Sequence, residues 1–431
     1  FDVGSTPDYY VPSVVAIQNG KMFFGQGAER ILEDRPQTEG LRNLKVLITD
    51  KTASRPVPLG VALKRAEKYL IENGLRCDPG LGLEVASAGL VAHAMMLVRR
   101  AIRTFESSYG DLNPLFQICL PLDDFKNEDL KRKFQRVFRL AEAISRDWTS
   151  PEDGLDIREV ERYAQLRSED LADCHASPVP ESIAELKSYV DSPAREGGLH
   201  AIIDIGAGTT DVSIFVLRNK GQTEEAVWFY TSRCIPRGMM EIEEDLAQYL
   251  GRRRAKFPTR LEVIQCLAAA GGDDKDAAGI IRKGLDAIQK ATDDVWLDAV
   301  RHYGKLEEWR DSDWKQLRIL LCGGGAAIPN AGSSFKIATE RVWKLAGFDY
   351  YGKYFPVEPL PHPENEEWPS DIPFNRLEVA YGLTIPMPTL GDFKLQGEWP
   401  SQKRREGPQS PKFHPRTKAP PNMGASYEDD K

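Results

Sequence analysis

The sequence predicts an α/β protein built from more than one folding unit. Three observations carry that prediction. Apolar strands run into glycine turns at two places, around Gly206–Gly208 and Gly323–Gly325. Long stretches between and before them, such as Ala277 to Tyr303, have helical patterning. The chain has 431 residues, which at roughly 100–200 residues per domain gives about two to four units.

Taken in order, Tyr10 to Arg30 reads as a hairpin, with β-branched and aromatic residues on both sides of Asn19-Gly20. Val61 to Glu72 is a helix stopped at Asn73-Gly74, and Ala86 to Phe105 is a second helix rich in Ala, Leu, Val and Met. Phe116 to Leu120 is a short strand ending at Pro121. Asp123-Asp124 is expected to cap a long amphipathic helix reaching about Ile144. The charged stretch 145–176 reads as a surface insertion, partly helical. Leu199 to Leu217 is a strand–turn–strand unit, and Ala226 to Ser232 a third strand. Ile242 to Leu250 and Arg260 to Ala270 are helices, and Leu317 to Cys322 is a strand. The prolines between Phe355 and Pro373 suggest an irregular excursion. From about Pro386 the chain reads as an extended arm, with the basic run Lys403-Arg404-Arg405 as a solvated patch.

Composition narrows the function classes. Apolar residues make up 41% and charged residues 28%, an ordinary globular profile. A formal net charge of −8 argues against nucleic acid as the main ligand. Six cysteines are scattered without a C-x-x-C pair, so buried or half-buried thiols in a reducing compartment are expected rather than a zinc or disulfide framework. Neither a membrane span nor a signal peptide is expected, and the predicted location is cytoplasmic.

The segment Ile202 to Phe215, IIDIGAGTTDVSIF, carries the most chemistry. An apolar strand holds Asp204 just before a turn made by Gly206, Ala207, Gly208, Thr209 and Thr210. Glycines let the backbone bend tightly and approach a ligand, and their N–H groups can converge on phosphate oxygens. Asp204 stands where a carboxylate could hold Mg²⁺ through water. Asp211 is a second metal-side acid or a turn residue.

This string resembles the second phosphate hairpin of the actin, sugar kinase and 70-kDa heat-shock superfamily. Other segments fall in the family's order. FDVGST, Phe1 to Thr6, resembles the first phosphate motif, and YVPSVVAI with FGQGAER resembles the strands that follow it. LRNLKVLI holds Lys45 where the family places a catalytic lysine. ICLPLDDFKNEDLKRKFQRVFRLAEAI resembles the strand–Pro–helix unit, and SPVPESIAEL the proline-flanked glutamate segment, with Glu181 as the glutamate. ILLCGGGAAIP resembles the adenosine motif and LEVAYGL the closing Ala-Tyr-Gly helix.

The resemblance implies a two-lobed actin-like ATPase of duplicated ribonuclease H-like βββαβαβα domains, with nucleotide in the interlobe cleft. Lobe I would cover 1–184 and lobe II 185–384, the end near 375–384 returning towards lobe I and a Pro-rich basic tail filling 385–431. ATP or ADP and Mg²⁺ would be the ligands. Asp2 and Asp204 would face the metal. Gly4, Ser5, Thr6, Gly206, Gly208, Thr209 and Thr210 would contact phosphates, and Gly323, Gly324 and Gly325 would pack on the nucleoside. Lys45 would offset charge on the transferring phosphoryl group and Glu181 would orient water, with Lys45, Glu181 and Thr209 as the catalytic set. Read without the resemblance, Glu181 is a helix-start acid favoured by the dipole and Lys45 a solvated lysine. Arg282 and Lys283 would border the adenosine or lie on a solvated helix face.

The chain also departs from the family. Tyr10 follows Thr6 by four positions, where the family has a hairpin and loop. The family's Gly-Gly pair after the third strand is reduced to Arg237-Gly238-Met239. Nothing after Leu383 resembles the chaperones' peptide-binding β-sandwich. The implied function is a slow, partner-stimulated ATPase acting as a switch for a protein partner in an assembly. A small-molecule kinase of the same superfold and an actin-like filament former stand as alternatives.

Overall fold

The structure is a computed structural model that describes residues 11–49 (without 34 and 36–38), 57–105, 116–171 (without 123), 178–217 (without 194), 227–303 (without 255–256), 317–331 (without 330), 357–360, 378–384 and 393–395. The first phosphate-like motif, including Asp2, Gly4, Ser5 and Thr6, most of the Pro-rich excursion and most of the tail lie outside these residues.

The first half begins with β1 (Val14–Gln18) and β2 (Lys21–Phe24), paired antiparallel across Asn19-Gly20, both with positive φ as the tight turn requires. There follow α1 (Gln26–Leu32), β3 (Leu41–Arg42), α2 (Leu44–Ile48), α3 (Val57–Glu72), α4 (Pro79–Phe105), β4 (Ile118–Leu120), α5 (Glu128–Asp147), β5 (Leu155–Asp156), α6 (Ile157–Gln165) and β6 (Pro178–Pro180). One sheet takes the order β3-β1-β2-β5, while β4 and β6 pair parallel in a small sheet of their own.

Two expectations for this half change. Asp124 to Lys126 forms a 3-10 turn, and the side chain of Asn127 caps α5 by accepting from the backbone of Asp129 and Leu130. The described part of the charged stretch, 145–171, is also more than a surface insertion. Its β5 adds to the edge of β2, and Trp148, Leu155, Val160, Tyr163, Ala164 and Leu171 are buried in the same core as α2 to α5. The charges occupy the outer face of α6 while Val160, Tyr163 and Ala164 repeat at i, i+3 and i+4 on the inner one. Arg136 of α5 binds this segment to the core, pairing with the buried Glu84 of α4 and donating to the Leu166 carbonyl.

α4 bears on the expectation of no membrane span. Over Pro79–Arg103, 25 residues, α4 is long and apolar enough by composition to cross a membrane. Its excess apolar character comes from Ala, Gly, Leu and Val spread around the helix, and Leu83, Val85, Ala86, Ala88, Ala92 and Met95 are buried in the core.

The second half opens with α7 (Glu181–Asp191), then β7 (Gly198–Ile205), β8 (Thr210–Leu217), β9 (Val227–Ile235), α8 (Met239–Arg253), α9 (Arg260–Ala268), α10 (Lys275–Tyr303), β10 (Arg318–Cys322), β11 (Val357–Pro359), α11 (Glu378–Leu383) and β12 (Phe393–Lys394). Six strands form a mixed sheet in the order β11-β10-β7-β8-β9-β12. β7, β8 and β9 are antiparallel, and β10 runs parallel to β7, β11 to β10 and β12 to β9.

Strand alternation sorts this sheet's side chains into two layers. Leu199, Ala201, Ile203, Ile205, Val212, Ile214 and Val216 pack with α8, α9 and α10. Ile202, Phe215, Leu217, Leu320 and Cys322 face the other way, onto α7 and α11. Both faces are covered, which is why β7 and β8 are nearly uninterrupted apolar runs. The few polar residues on the α7 face are therefore buried.

Candidate functional site

The site grows from the register of the six-stranded sheet. Asp204 on β7 stands opposite Asp211 on β8, and Asp204 is the parallel partner of Cys322 on β10. These three side chains form one row on the α7 face. Above the row lies the start of α7. Pro180 closes the β6 strand and cannot continue a ladder, so the helix begins at Glu181. One turn later comes Glu185, on the same helical face as Glu181. The donor atoms of Glu181, Asp204 and Asp211 all lie within 4.8 Å of one another, as do those of Glu185, Asp204 and Cys322.

Lys45 enters from the other half of the chain. Asn43, with φ 54, precedes α2 in a left-handed conformation that asparagine tolerates better than most residues. Its side-chain nitrogen lies 3.1 Å from Met240 Sδ on α8. The turn aims Lys45 at α7, where its Nζ donates to Glu181 Oε2 at 2.5 Å. The Cys119 thiol of β4 donates to Glu181 Oε1 at 3.6 Å and lies 4.0 Å from Lys45 Nζ.

Burial governs the electrostatics. Glu185 is 1% exposed, Asp211 5% and Asp204 9%. Burial, reinforced by Glu181, raises the Asp204 carboxyl to about 6. Burial, then Glu181 and Asp204, raises Asp211 well above the usual carboxylate range. Burial, then Asp204 and Glu181, does the same to Glu185. Burial also pushes the Cys119 thiol up, with Glu181 adding to it. For Lys45 burial works against the ammonium, but Cys119, Glu181 and Asp211 outweigh it and hold the group firmly charged. The Lys45 side chain keeps 38% of its surface accessible even though protein atoms crowd its ammonium. Four oxygens in this cluster are reached by no protein donor: Asp204 Oδ1, Asp211 Oδ1 and both carboxylate oxygens of Glu185, which has the Asp204 carboxyl as its hydrogen-bonding neighbour. Leaving a buried acid unpartnered costs several kcal/mol, so such oxygens mark a place for protons or cations.

The glycine turn sits beside these acids. Gly206 N–H donates to the Thr209 carbonyl at 2.9 Å, closing the turn. The first amides of α8 then fix it from behind, Met239 N–H donating to Gly206 O at 3.0 Å and Met240 N–H to Ala207 O at 2.6 Å. Gly238 permits that approach, since a Cβ there would come within 2.6 Å of Ala207 O and 2.7 Å of Gly206 O. A Cβ on Gly208 would overlap Val46 of α2, so the turn rests directly against the element carrying Lys45.

The structure thus brings together Lys45, Glu181, Asp204, Gly206, Gly208 and Thr209, which sequence reasoning singled out. It separates the two threonines: Thr209 Oγ1 donates to Asp211 Oδ2 at 3.2 Å, inside the site. Thr210 is fully buried and its hydroxyl donates to the Arg237 carbonyl at 2.9 Å, so this side chain braces the turn instead of reaching a phosphate. The glycines after β10 divide likewise. Gly323, with φ +78, packs its backbone against Asp204 Oδ1, and Gly325 packs against Ile205, whereas a Cβ on Gly324 would meet open space. Arg282 and Lys283 are exposed on α10.

Sequence reasoning missed Glu185, Cys119, Cys322 and Gly238 as parts of the site. The spacing of Glu181 and Glu185 on an apolar helix was a readable signal, since two acids one turn apart share a face. Nothing local marked the cysteines. No protein-family model matches the chain, and no curated protein is significantly similar to it.

Proposed function

We propose that the chain is a Mg²⁺-dependent ATPase of the actin and 70-kDa heat-shock superfold, working as a nucleotide-driven switch for a protein partner. The observation that carries the reading is the convergence of Lys45, Glu181, Asp204, Asp211 and the Gly206–Thr209 turn, from three separated stretches of chain, on one partly open spot.

The strand order supports the same reading. Three antiparallel strands, β7 to β9, are extended by the parallel β10 and β11, the order expected of a ribonuclease H-like unit. α11 returns against α7 and also touches β4 of the first half, with Gly382 packed on the Ala184 carbonyl, in keeping with an end that comes back towards lobe I. Contacts between the two proposed lobes include the ion pairs Arg260–Glu29 at 2.7 Å and Arg65–Glu244 at 3.4 Å and an apolar cluster in which Leu122 and Val179 pack with Ile202 and Phe215.

The donor set fits Mg²⁺, a hard cation that takes carboxylate oxygens and keeps part of its water shell. Asp204 and Asp211 would hold it, their unpartnered Oδ1 atoms being the available ligands. When bound, Mg²⁺ would neutralise charge on the β- and γ-phosphates. The turn would hold the phosphates through backbone N–H groups and Thr209. Lys45 would balance charge on the phosphoryl group, and Glu181, held by Lys45 and Cys119, would orient the attacking water. Gly324 would offer its backbone to the nucleoside.

The reading is tested by titrating a fluorescent adenine nucleotide into the full chain with Mg²⁺ and with EDTA. Binding that requires Mg²⁺ and is lost in Asp211→Asn supports it. Absence of binding under both conditions contradicts it.

A further inference from the structure

The ATPase reading uses Asp204 and Asp211 but leaves Glu185 and Cys322 without a task. Glu185 is buried to 1% exposure, no protein donor reaches either of its carboxylate oxygens, and its hydrogen-bonding neighbour is another acid, Asp204. A carboxylate is seldom buried in that state, because nothing replaces the water it loses. Its nearest company is the Asp204 carboxylate, also with an unpartnered oxygen, and Cys322, buried beside Asp204 by the parallel register of β7 and β10.

We propose that Glu185, Asp204 and Cys322 form a cation site of their own, suited to a thiophilic divalent ion such as Zn²⁺ rather than to Mg²⁺. The sulfur decides the class of ion: thiolates select zinc and its neighbours, whereas Mg²⁺ takes oxygen. The geometry is within reach of that chemistry. Zinc bonds of about 2.0–2.3 Å place tetrahedral donors roughly 3.3–3.7 Å apart. The three donor atoms lie within 4.8 Å of one another, so modest side-chain rotations close the site. Two carboxylates and one sulfur leave a fourth position for water. On binding, the Cys322 S–H bond, which points at the Ile203 carbonyl 3.6 Å away, breaks; its proton leaves to solvent and a sulfur–metal bond forms. Any protons held by Glu185 and Asp204 are released in the same way. The two cation sites share only Asp204, so the zinc site stands whether or not the chain hydrolyses ATP.

The test is a Co²⁺ titration of the metal-free full chain without nucleotide. One equivalent should bind and show a thiolate-to-cobalt charge-transfer band, which Zn²⁺ then displaces. Cys322→Ser should abolish the band, Glu185→Gln should weaken binding by about 100-fold, and Asp211→Asn should keep the band. A wild type without the band, or a band that survives in Cys322→Ser, overturns the proposal. Thermal melting gives a second readout that needs no Cys322 variant. Zn²⁺ should raise the melting temperature of wild type and leave Glu185→Gln unmoved, and an equal response in both would overturn it.

Discussion

Lys45 Nζ lies 2.5 Å from Glu181 Oε2, although 136 positions separate the two residues in the chain. The contact joins α2, which carries Val46 against the glycine turn, to the first residue of α7. A lysine ammonium and a carboxylate are thereby held at one edge of the acidic row.

Removing either partner should impair chemistry more than binding. Lys45→Ala and Glu181→Gln are each expected to lower phosphate release by about a hundred- to a thousandfold, with nucleotide affinity changed far less. Because the residues act together, the double variant should lose little more than either single one. Single-turnover phosphate release on the three variants measures this.

The threonines should behave differently. Thr209→Ala is expected to slow turnover while leaving stability nearly intact. Thr210→Ala removes a fully buried hydroxyl and strands the Arg237 carbonyl, so it should cost about 1–3 kcal/mol in urea unfolding.

Gly208 is predicted to be intolerant for a steric reason. Gly208→Ala drives a methyl into Val46 and should destabilise by about 1–3 kcal/mol. Val46→Ala in the same chain should recover part of the loss. Thermal melts of the four proteins form the double-mutant cycle.

The acidic row sets a pH dependence. Asp204 moves from 3.8 to about 6 on folding, so between these values the folded chain binds more protons than the unfolded one. Stability without a cation should therefore fall as pH rises through that window. A shift of this size corresponds to about 3 kcal/mol, and Asp211 and Glu185 are displaced in the same direction. Asp204→Asn should flatten part of the slope, as read from urea midpoints at about pH 4 and about pH 7.

Much of this was legible in the sequence where local chemistry decides. The Asn19-Gly20 hairpin, the β7–β8 unit, the strand entering Gly323 and the helix start at Glu181 follow from turn residues, apolar runs and proline. The packing of 145–171 was hidden because its charges dominate the reading while its apolar residues occupy one narrow face. The start of α5 was misplaced because Asn127 outcompeted the aspartates before it. The threonines look equivalent in sequence, and only the strand alternation of β8 turns one inward. Cys322 was illegible for a deeper reason: its proximity to Asp204 depends on the parallel register of β7 and β10, which no local pattern encodes.

The most direct test of the central claim is Mg²⁺-dependent phosphate release from ATP by the full chain, beside Asp204→Ala. The account predicts slow release by wild type that stops in EDTA and is lost in the variant. Release that persists at the wild-type rate in Asp204→Ala, or no release by wild type at any Mg²⁺ concentration, would contradict it.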